Sequence, residues 1–174
     1  MGQFGKIIAD AAVLGPRYAN RLCKDIPAEI FGSLAKTSDG TIDSNHPAFV
    51  IGHLCLYPAK VLELLKLPND SIRASDHYQK LFSKDAKCVD DSTCQLYPAK
   101  EELMATFDRA YQTAFEALHQ IDDQLLLSEN PVDSPIKTFV PTLGALVGFY
   151  LGGHVMSHCG QISAWRRILK LPPA

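Results

Sequence analysis

Residues 98–121, PAKEELMATFDRAYQTAFEALHQI, decide the fold. Leu103, Phe107, Ala110, Tyr111, Ala114, Leu118 and Ile121 recur every three or four residues. That is the period of a helix with one face turned to a core. Pro98 stands near its start, and Glu101 and Glu102 fall in the first turn, where negative charge complements the helix dipole.

The same reading extends outward. Phe4, Ile7, Ile8, Ala11, Leu14, Tyr18 and Leu22 share helical spacing, which predicts an amphipathic helix bent at Gly15-Pro16. Residues 25–45, rich in Pro, Gly, Ser and Asp, read as a connection. A second helix is expected from about Asn45–Pro47, with Asn45 as N-cap and Pro47 in the first turn, to about Lys66. Residues 71–97 are of mixed polarity, with a short helix expected at His77–Phe82. A connection this long often serves a site, for example as a lid. A fourth helix is expected over Thr142–Leu169, with Arg166, Arg167 and Lys170 at its C-terminal end and Pro172-Pro173 beyond it. Four long helices and no convincing strand predict an all-α fold. The expected architecture is a four-helix bundle, one domain over residues 1–174, with its long connection between helices 2 and 3.

Composition narrows the function classes. Apolar residues make up 47% of the chain and charged ones 21%, which excludes a disordered segment. A net charge of −2 with scattered Lys and Arg argues against nucleic acid. Five cysteines, Cys23, Cys55, Cys88, Cys94 and Cys159, are an odd number without a C-x-x-C pair, so free thiols and a reducing, cytoplasmic setting are expected. The first residues show no signal-peptide pattern. Thr138–Trp165 is uncharged and long enough to span a bilayer, but Pro141, its glycines, two histidines and Gln161 favour a buried helix over a membrane one.

Chemistry concentrates in the histidines. His154 and His158 are four apart, so both imidazoles lie on one helix face and can reach a single ion. That face also carries Leu143, Val147, Tyr150, Leu151, Ile162 and Trp165, and is expected to point inward. Buried imidazoles need partners for their ring nitrogens. A hydrogen bond to a buried carbonyl could satisfy one histidine of the pair; a single metal would take one nitrogen from each. His53 interrupts a second apolar stripe, with Phe49, Val50, Tyr57, Val61 and Leu64 on its side. Inward histidines from two helices make a metal centre the leading expectation, with His53, His154 and His158 as ligands. Three imidazoles suit zinc, nickel, iron or copper and not calcium or magnesium. Three protein ligands leave a position open for water or substrate.

The stretch Asn45-His-Pro-Ala-Phe-Val-Ile-Gly-His53-Leu54 resembles the second-helix signature of the DinB/YfiT-like superfamily, an Asn or Asp ahead of an aromatic–apolar run ending in Gly-His-Leu. His154-Val-Met-Ser-His158-Cys-Gly-Gln161-Ile162, followed by arginines and Leu-Pro, is similar to its fourth-helix signature. Tyr97–Leu103 resembles its entry to the third helix. The resemblance covers nearly the whole chain in order and spacing. It implies a four-helix bundle, often a homodimer, with zinc or nickel on His53, His154 and His158 in an open pocket. It also implies a small-molecule substrate, and either a transferase or isomerase using a low-molecular-weight thiol cosubstrate or a metal-dependent hydrolase. Fold alone does not choose among these. A non-catalytic metal or small-ligand module, and an interaction protein with structural histidines, are the competing classes.

Around the three ligands, Tyr57, Tyr150 and Gln161 are candidates to orient a ligand or substrate, against simple packing. Cys159 is expected in the core and Cys55 off the His53 face. His46 is expected to be solvated or capping, and His77 and His119 to lie on the surface. No carboxylate falls on a metal-facing stripe, so no general acid or base is assigned. Gly144, Gly148 and Gly152 form a small-residue stripe, expected to seat a neighbouring helix or a dimer seam.

Overall fold

Two prolines explain how the first half of the chain bends. The computed structural model describes residues 2–174 and is mostly helical. Its first rod is α1 (Gln3–Ala12) and α2 (Leu14–Lys24), joined at Val13. After a small antiparallel hairpin, β1 (Lys36–Thr37) with β2 (Gly40–Thr41), the second rod is α3 (Pro47–Leu54) and α4 (Leu56–Leu64), joined at Cys55. Each joint lies three residues before a proline, Pro16 or Pro58. A proline cannot donate to the carbonyl four residues back, and its ring crowds that turn. The bend thus precedes Gly15-Pro16 instead of falling on it. Among the described residues this hairpin and an isolated bridge between Glu129 and Thr142 depart from the expectation of no strand.

The expected short helix is α5 (Asp76–Phe82), capped by Ser75, whose hydroxyl accepts from the Tyr78 N–H at 3.2 Å. Residues 98–121 contain α6 (Lys100–Leu118) and the turn after it, and all seven residues of the expected stripe, Leu103 to Ile121, are buried. A short α7 (Asp123–Leu127) follows. The fourth rod runs through α8 (Leu143–Gly148), a π-helical turn at Phe149–Gly153, and α9 (His154–Ile168). Its C-terminal end is tied down by Arg166, 3% exposed, whose guanidinium donates to the Leu22 and Pro172 carbonyls at 2.6 Å each. The fourth rod packs on the first (α1 on α8, α2 on α9), and the second packs on α6 and α9. Trp165, Tyr111, Phe107, Leu103, Ile51 and Leu54 fill the space between. Among the described residues, no helix is long and apolar enough to cross a membrane.

The expected face of the first rod is buried only in part: Leu22 is in the core and Ile8 and Tyr18 pack against it. Gly5, Ala9, Ala12, Gly15, Pro16 and Ala19 face the core, while Phe4, Ile7 and Leu14 are 43%, 60% and 65% exposed. The cause is close backbone approach: a Cβ on Gly5 would overlap the Leu118 carbonyl, and one on Gly15 would sit 3.1 Å from Val155. Small residues let the rods meet nearly backbone to backbone, and dispersion over that contact outweighs burying three larger side chains. The Gly144, Gly148 and Gly152 stripe takes part in the same contact, against Leu126, Ile8 and Ala12.

Candidate metal centre

The π turn at Phe149–Gly153 sets where the histidines point. A π turn inserts about one extra residue, which rotates everything beyond it by about 100° relative to a straight α-helix. Before it the buried positions include Leu143, Leu146 and Val147, within it Tyr150 and Leu151, and after it Val155, Cys159, Ile162 and Trp165. A straight helix would have put His154 and His158 at the centre of the core face, as the uninterrupted stripe predicts. In the fold Val155 and Cys159 take that place, and both histidines are half-buried at its edge. From there they face His53 on α3, which is 6% exposed.

The three rings converge. Their centroids are 4.9 Å (His53–His158), 5.3 Å (His53–His154) and 4.6 Å (His154–His158) apart. One ligand atom from each lies within 4.8 Å of the others, and the two Nε2 atoms of His154 and His158 are 3.0 Å apart. A tetrahedral ion at about 2.0–2.1 Å from each nitrogen needs N···N separations of about 3.3 Å. Small ring movements bring the cluster to that value, so the group can hold a metal.

Two tautomers are set by what the far nitrogens touch. His53 Nδ1–H donates to the Phe82 carbonyl at 2.8 Å. His158 Nδ1–H donates to Gln161 Oε1 at 2.9 Å, and the same oxygen accepts from Asn45 Nδ2 at 3.2 Å. Each bond leaves an Nε2 lone pair aimed into the gap between the rings, the arrangement that orients metal-bound histidines. His154 Nδ1 is buried without a partner. With the His154 proton on its Nδ1, three lone pairs face inward and cannot satisfy each other; a cation meets all three.

Electrostatics point the same way. Burial lowers the pKa of His53 and of His158. His154 falls to about 3, first by burial and then through His158 and His53. All three are neutral at pH 7, so a metal has no proton to displace. A histidine with a folded pKa below its unfolded value of about 6.5 binds a proton more readily in the unfolded chain, so acid favours unfolding. Stability of the metal-free protein should therefore fall as pH drops from about 6.5 toward 3. His46, also lowered by burial, adds in the same sense. The urea midpoint at pH 7, 5.5 and 4.5 checks this; a flat profile contradicts a neutral buried cluster.

Other expected residues fall as follows. Tyr57 packs 4.2 Å from the His154 ring and 5.1 Å from His53, and Tyr150 packs 5.1 Å from Tyr57 (centroid distances). His46, not Asn45, is the N-cap of α3: its Nδ1 accepts from the Phe49 N–H at 3.2 Å and its Nε2–H donates to the Val89 carbonyl at 3.0 Å. It is fully buried, so the solvated alternative is corrected. His77 and His119 are exposed. All five cysteines are free, and burial pushes the Cys23, Cys55 and Cys159 thiols up to about 12, which leaves them inert at neutral pH. Asn45 escaped the sequence reading because its cap position gave it a sufficient role. The Phe82 carbonyl could not have been found, since a backbone group has no sequence signature.

Asn45→Ala and Gln161→Ala should each weaken zinc or nickel binding by about 10-fold or more, the usual cost of losing a group that orients a ligand. Competition with a chromophoric chelator checks this. Unchanged affinity in Gln161→Ala would detach it from the centre. No known family model matches the chain, and no curated protein matches it.

Proposed function

We propose that this chain is a metal-dependent protein of the DinB/YfiT-like type, a four-helix bundle holding zinc or nickel on His53, His154 and His158 and acting on a small molecule. The convergence of three neutral imidazoles, two of them with their tautomers set by outside partners, carries this reading. A bound ion of this kind supplies a Lewis acid with an open position for water or a thiolate. The protein supplies the rest. Phe82 and Gln161 hold two rings in place, and Tyr57 covers the third. The histidine group contains no carboxylate among the described residues. That favours a transferase whose nucleophile arrives with a low-molecular-weight thiol over a hydrolase needing its own base at the metal.

Metal content of the protein, purified without a histidine tag, tests the proposal. About one zinc or nickel per chain is expected; no bound metal and no uptake on addition would overturn it. A panel of thiols with electrophilic acceptors, beside ester and amide substrates, then separates an enzyme from a binding module. A homodimer is part of the proposal, supported by the exposed apolar ridge of Phe4, Ile7, Leu14 and Met156. Ile7→Glu should convert the dimer to a monomer in sedimentation equilibrium; a monomeric native protein would remove the dimer.

A further inference from the structure

A cleft of about 410 Å³ borders the histidine cluster at one member, with His53 and Tyr57 on its wall. Three chain segments bring cations to it: Lys60 from α4, Arg73 from the connection before α5, and Lys84 from the turn after it. None of the three has a carboxylate within ion-pair distance among the described residues. Glu63 and Asp85 also line the cleft and are likewise unpaired, so cations outnumber carboxylates there. Lys60 is not loosely placed. Its Nζ lies 5.4 Å from the Tyr150 ring centre, and Tyr150 leans on Tyr57, which packs on His154. A row of aromatic rings thus links one ammonium to the metal-binding group.

We infer that this cleft binds the carboxylate end of an anionic small-molecule substrate, with Lys60, Arg73 and Lys84 as its charge partners and the reacting end directed to the histidine cluster. The inference rests on the metal reading for the position of the reacting end, but not for the charge preference. Unpaired cations from separate segments around one concave surface make a field that draws and orients an anion. A neutral or cationic substrate would leave at least one of them without a counter-charge, since Glu63 and Asp85 supply only two. In a site open to solvent such pairs contribute modestly each, and more together than singly.

A charge series of metal-binding probes tests it: succinic acid monohydroxamate, its terminal amide, and the hydroxamate of β-alanine, which ends in an ammonium. Binding to the cobalt(II)-loaded protein is read from the visible cobalt spectrum. Binding to the metal-free protein is read by saturation-transfer NMR. The carboxylate probe is expected to bind about tenfold more tightly than the amide, a difference that added salt reduces. Lys60→Gln, Arg73→Gln and Lys84→Gln combined should erase that preference, while Lys6→Gln, on the far rod, should keep it. Equal binding of all three probes, or preference for the ammonium, would overturn the inference with the metal site intact. If the protein takes up no cobalt, the metal reading falls, and the preference measured on the metal-free protein still decides the charge assignment.

Discussion

Alanine in place of His154 or His158 is expected to lower zinc or nickel affinity by about a hundredfold or more, with helical content nearly unchanged. Structural zinc sites with four ligands bind with about 10–16 kcal/mol, or about 3 kcal/mol per ligand, which corresponds to about two orders of magnitude. The rings can be removed without breaking the core, because they stand at the edge of the buried face while Val155 and Cys159 fill its centre. His154→Ala carries a second signature. His154 has the lowest pKa of the cluster, at about 3, and its Nδ1 is a buried atom without a partner. Its removal takes away that unsatisfied group and the one imidazole whose protonation is opposed by burial and then by His158 and His53. The metal-free variant should therefore resist acid better than the native protein while binding metal worse. Chelator competition and urea midpoints at two pH values measure the two effects. A variant with undiminished affinity would take that residue out of the ligand set.

Gly52→Ala is expected to damage stability and metal binding together. A Cβ at Gly52 would overlap the ring of Phe82, a side chain with no exposure. The ring cannot retreat, because it is packed between Phe49, Tyr78 and Tyr97. Overpacking of this kind costs about 1–3 kcal/mol. The functional half follows from the backbone: the Phe82 carbonyl holds His53 Nδ1 at 2.8 Å. Displacing Phe82 loosens the tautomer and angle of His53, which should weaken metal binding by about 10- to 100-fold. Phe82→Leu is the discriminating control. It keeps the carbonyl and frees space, so it should lose stability and keep most of the affinity. If Gly52→Ala destabilises the fold but binds metal normally, the carbonyl contact has no role at the centre.

Legibility varied along the chain. The α6 stripe was readable to the residue, since a long helix with one apolar face has a single way to bury it. The first rod was readable as a helix but only in part as to which side faces inward, because hydrophobic periodicity ranks large side chains highest. Gly5, Ala9, Ala12 and Gly15 win through close backbone approach, a pairwise property of two rods. The histidine pair was readable from its spacing. Its orientation was not: the spacing is compatible with the core centre and with its edge, and the π turn chooses the edge.

The order of residues was thus enough to establish a helical chain, three histidines able to meet, and no excess of basic charge, because helical period, side-chain chemistry and net charge are local or additive. Tertiary structure alone decided which atoms orient the imidazoles and what surrounds them. Phe82, Asn45, Lys60, Arg73 and Lys84 reach the site from segments with no shared spacing. Their convergence is a property of chain packing, which no periodicity encodes.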